Sequence, residues 1–166
     1  MNYYEIPKFK TKEEETEFYR EFTSNLDRGC YIISSTNPAA GKTTIIKNLA
    51  NAIIERNSKV LIINSDVINK RADFSDMTCD VIVLTKEECN AETIIALIDK
   101  TVYDYIFIDT APRNIRTSII NTAAEVLSAC DRYFYVINND SELVDRRTTD
   151  SILYHAPKRP PFRERL

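Results

Sequence analysis

Five short apolar runs punctuate the chain: Cys30 to Ser34, Val60 to Asn64, Asp80 to Leu84, Tyr105 to Asp109 and Tyr133 to Ile137. They are rich in Ile, Val and Tyr and predict strands of a sheet buried on both faces. Between them, Thr44 to Arg56, Ala91 to Val102 and Ser118 to Cys130 carry apolar residues at three- and four-residue intervals, as in Ile46, Leu49, Ala50 and Ile53. That period predicts crossover helices, so the expected class is α/β: a mainly parallel sheet of five or more strands with helices on both faces. Upstream, Thr11-x-x-Glu14 reads as a capping box, and Phe18, Phe22 and Leu26 give the helix that follows one apolar stripe. Gly29 is expected at that helix's C-terminal cap. Ser141 to Tyr154 reads as a last helix, Val67 to Cys79 as a loop, and Tyr3 and Tyr4 as part of a ragged terminus.

Composition narrows the classes. At 166 residues and 19.2 kDa the chain suits one domain. Within it, 1–28 is an N-terminal helical segment, 29–155 the main α/β unit, and 156–166 a tail rich in proline and arginine. A net charge of −3 argues against a dedicated nucleic-acid binder. No apolar run approaches the roughly 18 residues that span a bilayer, and MNYYEIPKFKTKEEE has no apolar core for secretion, so no membrane insertion is expected and the expected address is cytoplasmic. Cys30, Cys79, Cys89 and Cys130 lack C-x-x-C spacing, and His155 is the single histidine, which leaves a zinc site short of ligands. The thiols are read as reduced and mostly buried, and His155 receives no catalytic role.

The strongest chemical signal is STNPAAGKTT, Ser35 to Thr44, between a predicted strand and a predicted helix. A loop and helix N-terminus aim backbone N–H groups at phosphate oxygens, a lysine neutralises charge and a hydroxyl holds Mg²⁺. Asn37, Pro38, Ala39, Ala40, Gly41, Lys42, Thr43 and Thr44 are the expected phosphate-binding residues, with Lys42 on phosphate and Thr43 on the metal. The position five before Gly41, where the usual pattern has glycine, is Thr36. Asp66 follows the second run and Asp109 ends the fourth, which puts both at the carboxyl ends of parallel strands, where ligands bind. Asp109 has the context of a Walker B aspartate, and with Thr43 and Asp66 it completes the expected metal set.

The loop with Pro38, the segment VLIINSD and the segment YDYIFIDTAP together resemble the three nucleotide motifs of bacterial tyrosine kinases of the capsule and exopolysaccharide type, within the MinD/ParA-like P-loop NTPases. The resemblance runs to about Asp140. It implies ATP and Mg²⁺ as cofactors, Lys42, Asp66 and Asp109 as catalytic residues, and a membrane polysaccharide-assembly protein as partner, which would hold the chain at the inner membrane. Upstream, ETEFYREFTSNL is similar to the Glu-x-x-Arg-x-x-Arg helix by which those kinases form rings. Glu17 and Arg20 match, the third position is Thr23, and a homo-oligomer through this helix is expected.

Two departures shape the reading. Asn37 stands where partition ATPases carry a signature lysine, which favours the kinase branch. Asn64 stands where the family has the aspartate implicated in activating the acceptor tyrosine, and an amide cannot serve as a carboxylate base. Tyrosine phosphorylation is thereby weakened, while metal binding and slow hydrolysis are kept. The chain is also shorter than such kinases, as a minimal member or a fragment would be. Two alternatives stay open: an ATP-switched dimer that positions cargo, and a non-catalytic nucleotide-binding module. Adenine follows from the resemblance alone, and neither Arg113 nor Arg116 is assigned a phosphate contact.

Overall fold

A computed structural model describes residues 2–35, 41–67, 73–111, 126, 129–137 and 151–155. Its elements are β1 (Asn2–Ile6), α1 (Lys12–Ser24), β2 (Gly29–Ser35), α2 (Lys42–Ile54), β3 (Val60–Asn64), β4 (Asp80–Val83), α3 (Ala91–Leu97), β5 (Tyr105–Asp109), β6 (Arg132–Ile137) and β7 (Ser151–His155). The strands form one seven-stranded sheet in the order β1-β7-β6-β2-β5-β3-β4, and every described pairing is parallel.

Alternation along each strand splits the core in two. Tyr31, Ile33, Val60, Ile62, Tyr105, Phe107, Phe134 and Val136 face the side covered by α1 and α2. Their neighbours Cys30, Ile32, Leu61, Ile63, Ile106, Ile108, Tyr133 and Tyr135 face the side that holds Ile94 of α3 and Val126. The side-chain period of two thus accounts for strands that read as continuous apolar runs. On α2, Ile45, Ile46, Leu49 and Ile53 are fully buried, each contributing roughly 1.5–3 kcal/mol of apolar burial.

Helix α1 begins as its sequence predicts, with Thr11 Oγ1 accepting from the Glu14 amide at 3.1 Å. Glu14 reaches back one residue further than a standard capping box, accepting from the Lys10 amide at 3.0 Å. The helix ends at Asn25, so Gly29 is not its cap but the first residue of β2. Gly29 has φ +151°, and a Cβ there would fall 2.4 Å from Asp131 Oδ2. That carboxylate is held in place by the Cys30 amide at 2.7 Å.

Three further expectations are corrected. Residues 151–154 are strand, not helix: Ile152 and Leu153 are buried in β7 between β6 and β1, and this pairing overrides the local helical pattern. Residues 141–150 lie outside the described residues. The Tyr3 and Tyr4 segment is β1, an edge strand paired with β7, so the N-terminal segment belongs to the same sheet as the rest. Helix α3 stops at Leu97 rather than Val102, because the Asp99 carboxylate takes the Thr101 amide at 2.9 Å in a local turn that competes with helix continuation. Of the predicted helix over 118–130, only Val126, Ala129 and Cys130 are described. The first two are helical.

Gly29→Ala is expected to destabilise the fold by about 1–3 kcal/mol, from strained φ and displacement of the Asp131 carboxylate. Urea denaturation checks this. An unchanged midpoint would mean that β2 can start in another conformation.

Candidate functional site

Period-two alternation and parallel register converge on one point. Asn64 and Asp109 are register partners at the carboxyl ends of β3 and β5, and both continue the alternation on the α2 side of the sheet. β2 ends alongside them, pairing Ile33 with Asp109. Beyond it, Gly41 takes a left-handed conformation, φ 86° and ψ 18°, as the N-cap of α2. A side chain is disfavoured there, and α2 opens with Lys42 and Thr43 facing the strand ends.

Lys42 is buried between two carboxylates. Its Nζ lies 3.7 Å from Asp66 Oδ2 and 3.7 Å from Asp109 Oδ1, and all three side chains are at most 3% exposed. Thr43 Oγ1 donates to Asp109 Oδ2 at 3.4 Å. The four residues expected from sequence to do the chemistry therefore meet: Lys42, Thr43, Asp66 and Asp109. Gly41 and Thr44 flank them at the start of α2, whereas Asn37, Pro38, Ala39 and Ala40 lie outside the described residues.

Neighbouring bonds fix this geometry. Asn64 Oδ1 accepts from the Asp66 amide at 3.1 Å, a local turn that aims Asp66 back toward Lys42. Ser65 donates twice to the Asp109 carbonyl, from its amide at 2.9 Å and its hydroxyl at 2.7 Å. Cys89 Sγ contacts the Ser65 carbonyl at 3.4 Å. Ser65 is thus a positioning residue that sequence reasoning missed. Only the register of β3 beside β5 reveals it, and no local motif carries that register.

Burial decides the electrostatics. Among the described residues one ammonium faces two carboxylates out of contact with water, and burial penalises the ionised form of each. Asp109 responds: burial, opposed by Lys42 and reinforced by Asp66, pushes its pKa up from 3.8 to about 6. Among the described residues its Oδ1 has no hydrogen bond and pairs with Lys42 at 3.7 Å. A buried carboxylate with an unused acceptor, beside a hydroxyl and a second carboxylate, is a hard-oxygen set that suits Mg²⁺. Among the described residues no three His, Cys, Asp or Glu side chains converge.

The fold has solved counterparts. The kinase domain of Escherichia coli tyrosine kinase ETK superposes with a TM-score of 0.61 at 19% identity, over 81% of this chain and 70% of that one. The chimerical protein CapA2B2 gives 0.57 at 20% identity over 95% of both chains. This is the P-loop NTPase fold. The signal recognition particle receptor FtsY of Elizabethkingia anophelis, solved with GDP, gives 0.54 at 15% identity, over 72% of this chain and 46% of that one. No protein-family model and no curated protein matches the sequence.

The Glu17/Arg20 face of α1 is engaged within the chain. Arg20 forks onto Glu55 of the segment after α2, with Nε to Oε2 at 2.8 Å and Nη2 to Oε1 at 3.3 Å, and pairs with Glu17 at 3.4 Å. Thr23, the third position of that pattern, is buried and accepts from Arg56 Nη1 at 2.8 Å. No helix among the described residues is long and apolar enough to cross a membrane.

The raised Asp109 pKa sets a sign. The folded chain holds this proton more tightly than the unfolded chain, so ionised Asp109 lowers stability above about pH 6, and the cost fades as pH falls toward 3.8. Asp109→Asn is therefore expected to stabilise the ligand-free protein by about 2 kcal/mol at pH 8, with the gain vanishing near pH 4. Denaturant melts of both proteins across this range check it. A variant less stable than wild type at pH 8 would contradict the burial cost assigned to Asp109.

Proposed function

We propose that this chain binds Mg-ATP in the manner of the bacterial tyrosine-kinase group and hydrolyses it slowly, with transfer to tyrosine weakened by Asn64. The observation that carries the reading is Lys42 at 3.7 Å from both Asp66 and Asp109, at the start of the helix that follows β2. The TM-score of 0.61 to the ETK kinase domain agrees with it at the level of fold.

In this reading Lys42 leaves its two carboxylates to neutralise the β- and γ-phosphates, and the backbone amides at the start of α2 point at the same oxygens. Thr43 Oγ1 and the Asp109 carboxylate would hold Mg²⁺, with Asp66 ordering its water shell. The ion would supply charge stabilisation as the γ-phosphate separates. The residues supply position: Ser65 fixes Asp109, and Asn64 fixes Asp66. Since phosphoryl transfer rests on positioning and electrostatics, hydrolysis survives the loss of an acceptor-activating base. Asn64 keeps the turn that an aspartate would make but brings no base, and it spares the site a third buried carboxylate.

Adenine is assigned by the sequence resemblance, and the FtsY structure solved with GDP makes guanine the competing base. Self-association through Glu17 and Arg20 belongs to the same reading, since Arg20 stays half exposed despite its pairing with Glu55. So does a membrane polysaccharide-assembly partner that would hold a cytoplasmic chain at the inner membrane. The switch reading differs in its readout: dimerisation on ATP without phosphotyrosine.

Intact-mass spectrometry after incubation with Mg-ATP or Mg-GTP, with nucleoside diphosphate release followed in the same tube, tests the proposal. Wild type is expected to release ADP without gaining mass, and Lys42→Met to lose release by a factor of about 100 or more. Phosphate added to a tyrosine of wild type would overturn the role given to Asn64. No nucleotide bound by wild type would overturn the whole reading.

A further inference from the structure

Outside the nucleotide site, one cluster of reactive side chains has no part in the proposed function. Cys30 and Cys130 are 100 residues apart in sequence, yet their sulfurs lie 3.1 Å apart. Both belong to the apolar layer on the α3 side of the sheet.

The backbone holds them there. Asp131, next to Cys130, donates its amide to the Cys30 carbonyl at 2.9 Å and accepts the Cys30 amide on its carboxylate at 2.7 Å. Lys100 Nζ pins that carboxylate from the outside at 2.8 Å. Two opposed hydrogen bonds therefore clamp the start of β2 to the segment entering β6, with the thiols between them. Gly29 makes room for this clamp, since a Cβ there would displace the Asp131 carboxylate.

We propose that Cys30 and Cys130 are a thiol oxidation site, closed to a reversible disulfide by a hydroperoxide. The two sulfurs need approach by only about 1 Å to reach bonding distance, a shift within side-chain reach when the backbone is already placed. The thiols differ in access: Cys30 is fully buried and Cys130 half-buried. The more accessible Cys130 therefore meets the oxidant first. Its thiolate attacks the peroxide, an S–O bond forms, the O–O bond breaks and the alcohol leaves, giving a sulfenic acid. The Cys30 sulfur then attacks the Cys130 sulfur. The S–S bond forms as the S–O bond breaks, and the leaving hydroxide departs as water with the Cys30 proton. Two thiols and one hydroperoxide thus become one disulfide, one alcohol and one water, and a small thiol reverses the step by exchange. The other cysteines sit apart: Cys79 packs on the opposite face of the sheet, and Cys89 lies behind Ser65.

The bond would join the amino end of β2 to the entry of β6, at the opposite end of these interior strands from Lys42. It would close a long loop and act on stability.

The test is hydrogen peroxide treatment of the reduced full chain, followed by intact-mass measurement, non-reducing peptide mapping and melting. The expected result is loss of two hydrogen masses, one cross-linked peptide pair containing Cys30 and Cys130, and a melting temperature raised by on the order of 10 °C, all reversed by dithiothreitol. Cys130→Ser should abolish the cross-link, and its melting temperature when reduced shows whether it folds. The double variant Cys79→Ser and Cys89→Ser, which keeps the pair intact, should cross-link as wild type does. Added oxygen without loss of hydrogen, a cross-link through Cys79 or Cys89, or a melting temperature unmoved by the cross-link would each overturn the proposal.

Discussion

A single buried ammonium between two buried carboxylates is the constraint on which the site depends. Lys42 sits 3.7 Å from both Asp66 and Asp109 where water cannot screen any of them, and burial penalises every one of these charges. Burial, opposed by Lys42 and reinforced by Asp66, raises the pKa of Asp109. Such a cluster is costly to the ligand-free fold and suited to a ligand that brings its own divalent cation and its own phosphates. In the proposed function, the cation would meet the carboxylates while the phosphates take the lysine. Instability without ligand and affinity for it are then two readings of one buried charge cluster.

The sheet places those charges. In β3 and β5 the residues facing α2 are apolar along the strand and polar only at the end: Val60 and Ile62 before Asn64, Tyr105 and Phe107 before Asp109. The apolar members fasten the helix, Asp109 meets its first turn through Lys42 and Thr43, and Asn64 turns the chain to Asp66. A slip of one residue in either strand would send its polar end to the opposite face, so the packing that stabilises the fold also enforces the chemistry. Ser65 and Asn64 complete the arrangement by holding the backbone of Asp109 and the turn to Asp66.

Local physics made much of this legible in the chain. The strand runs, the α1 cap at Thr11, and the convergence of Lys42, Thr43, Asp66 and Asp109 follow from periodicity and from residue types beside a strand end. What escaped was set by distant partners. β7 reads as helix because Ile152 and Leu153 fit either period until β6 and β1 flank them. β1 reads as a loose end for the same reason. Gly29 looked like a helix cap because its constraint, the Asp131 carboxylate, lies about a hundred residues away. Ser65 and the Cys30 and Cys130 contact have no sequence signal at all, since both depend on which strands lie side by side.

The most direct test of the central claim is the titration of the Asp109 carboxyl carbon by NMR in the ligand-free protein, assigned by its absence in Asp109→Asn. Burial of Asp109, only partly offset by Lys42, predicts a midpoint near 6, well above that of an ordinary aspartate. A midpoint at or below about 4 would mean that Lys42 fully compensates Asp109, and would contradict the account.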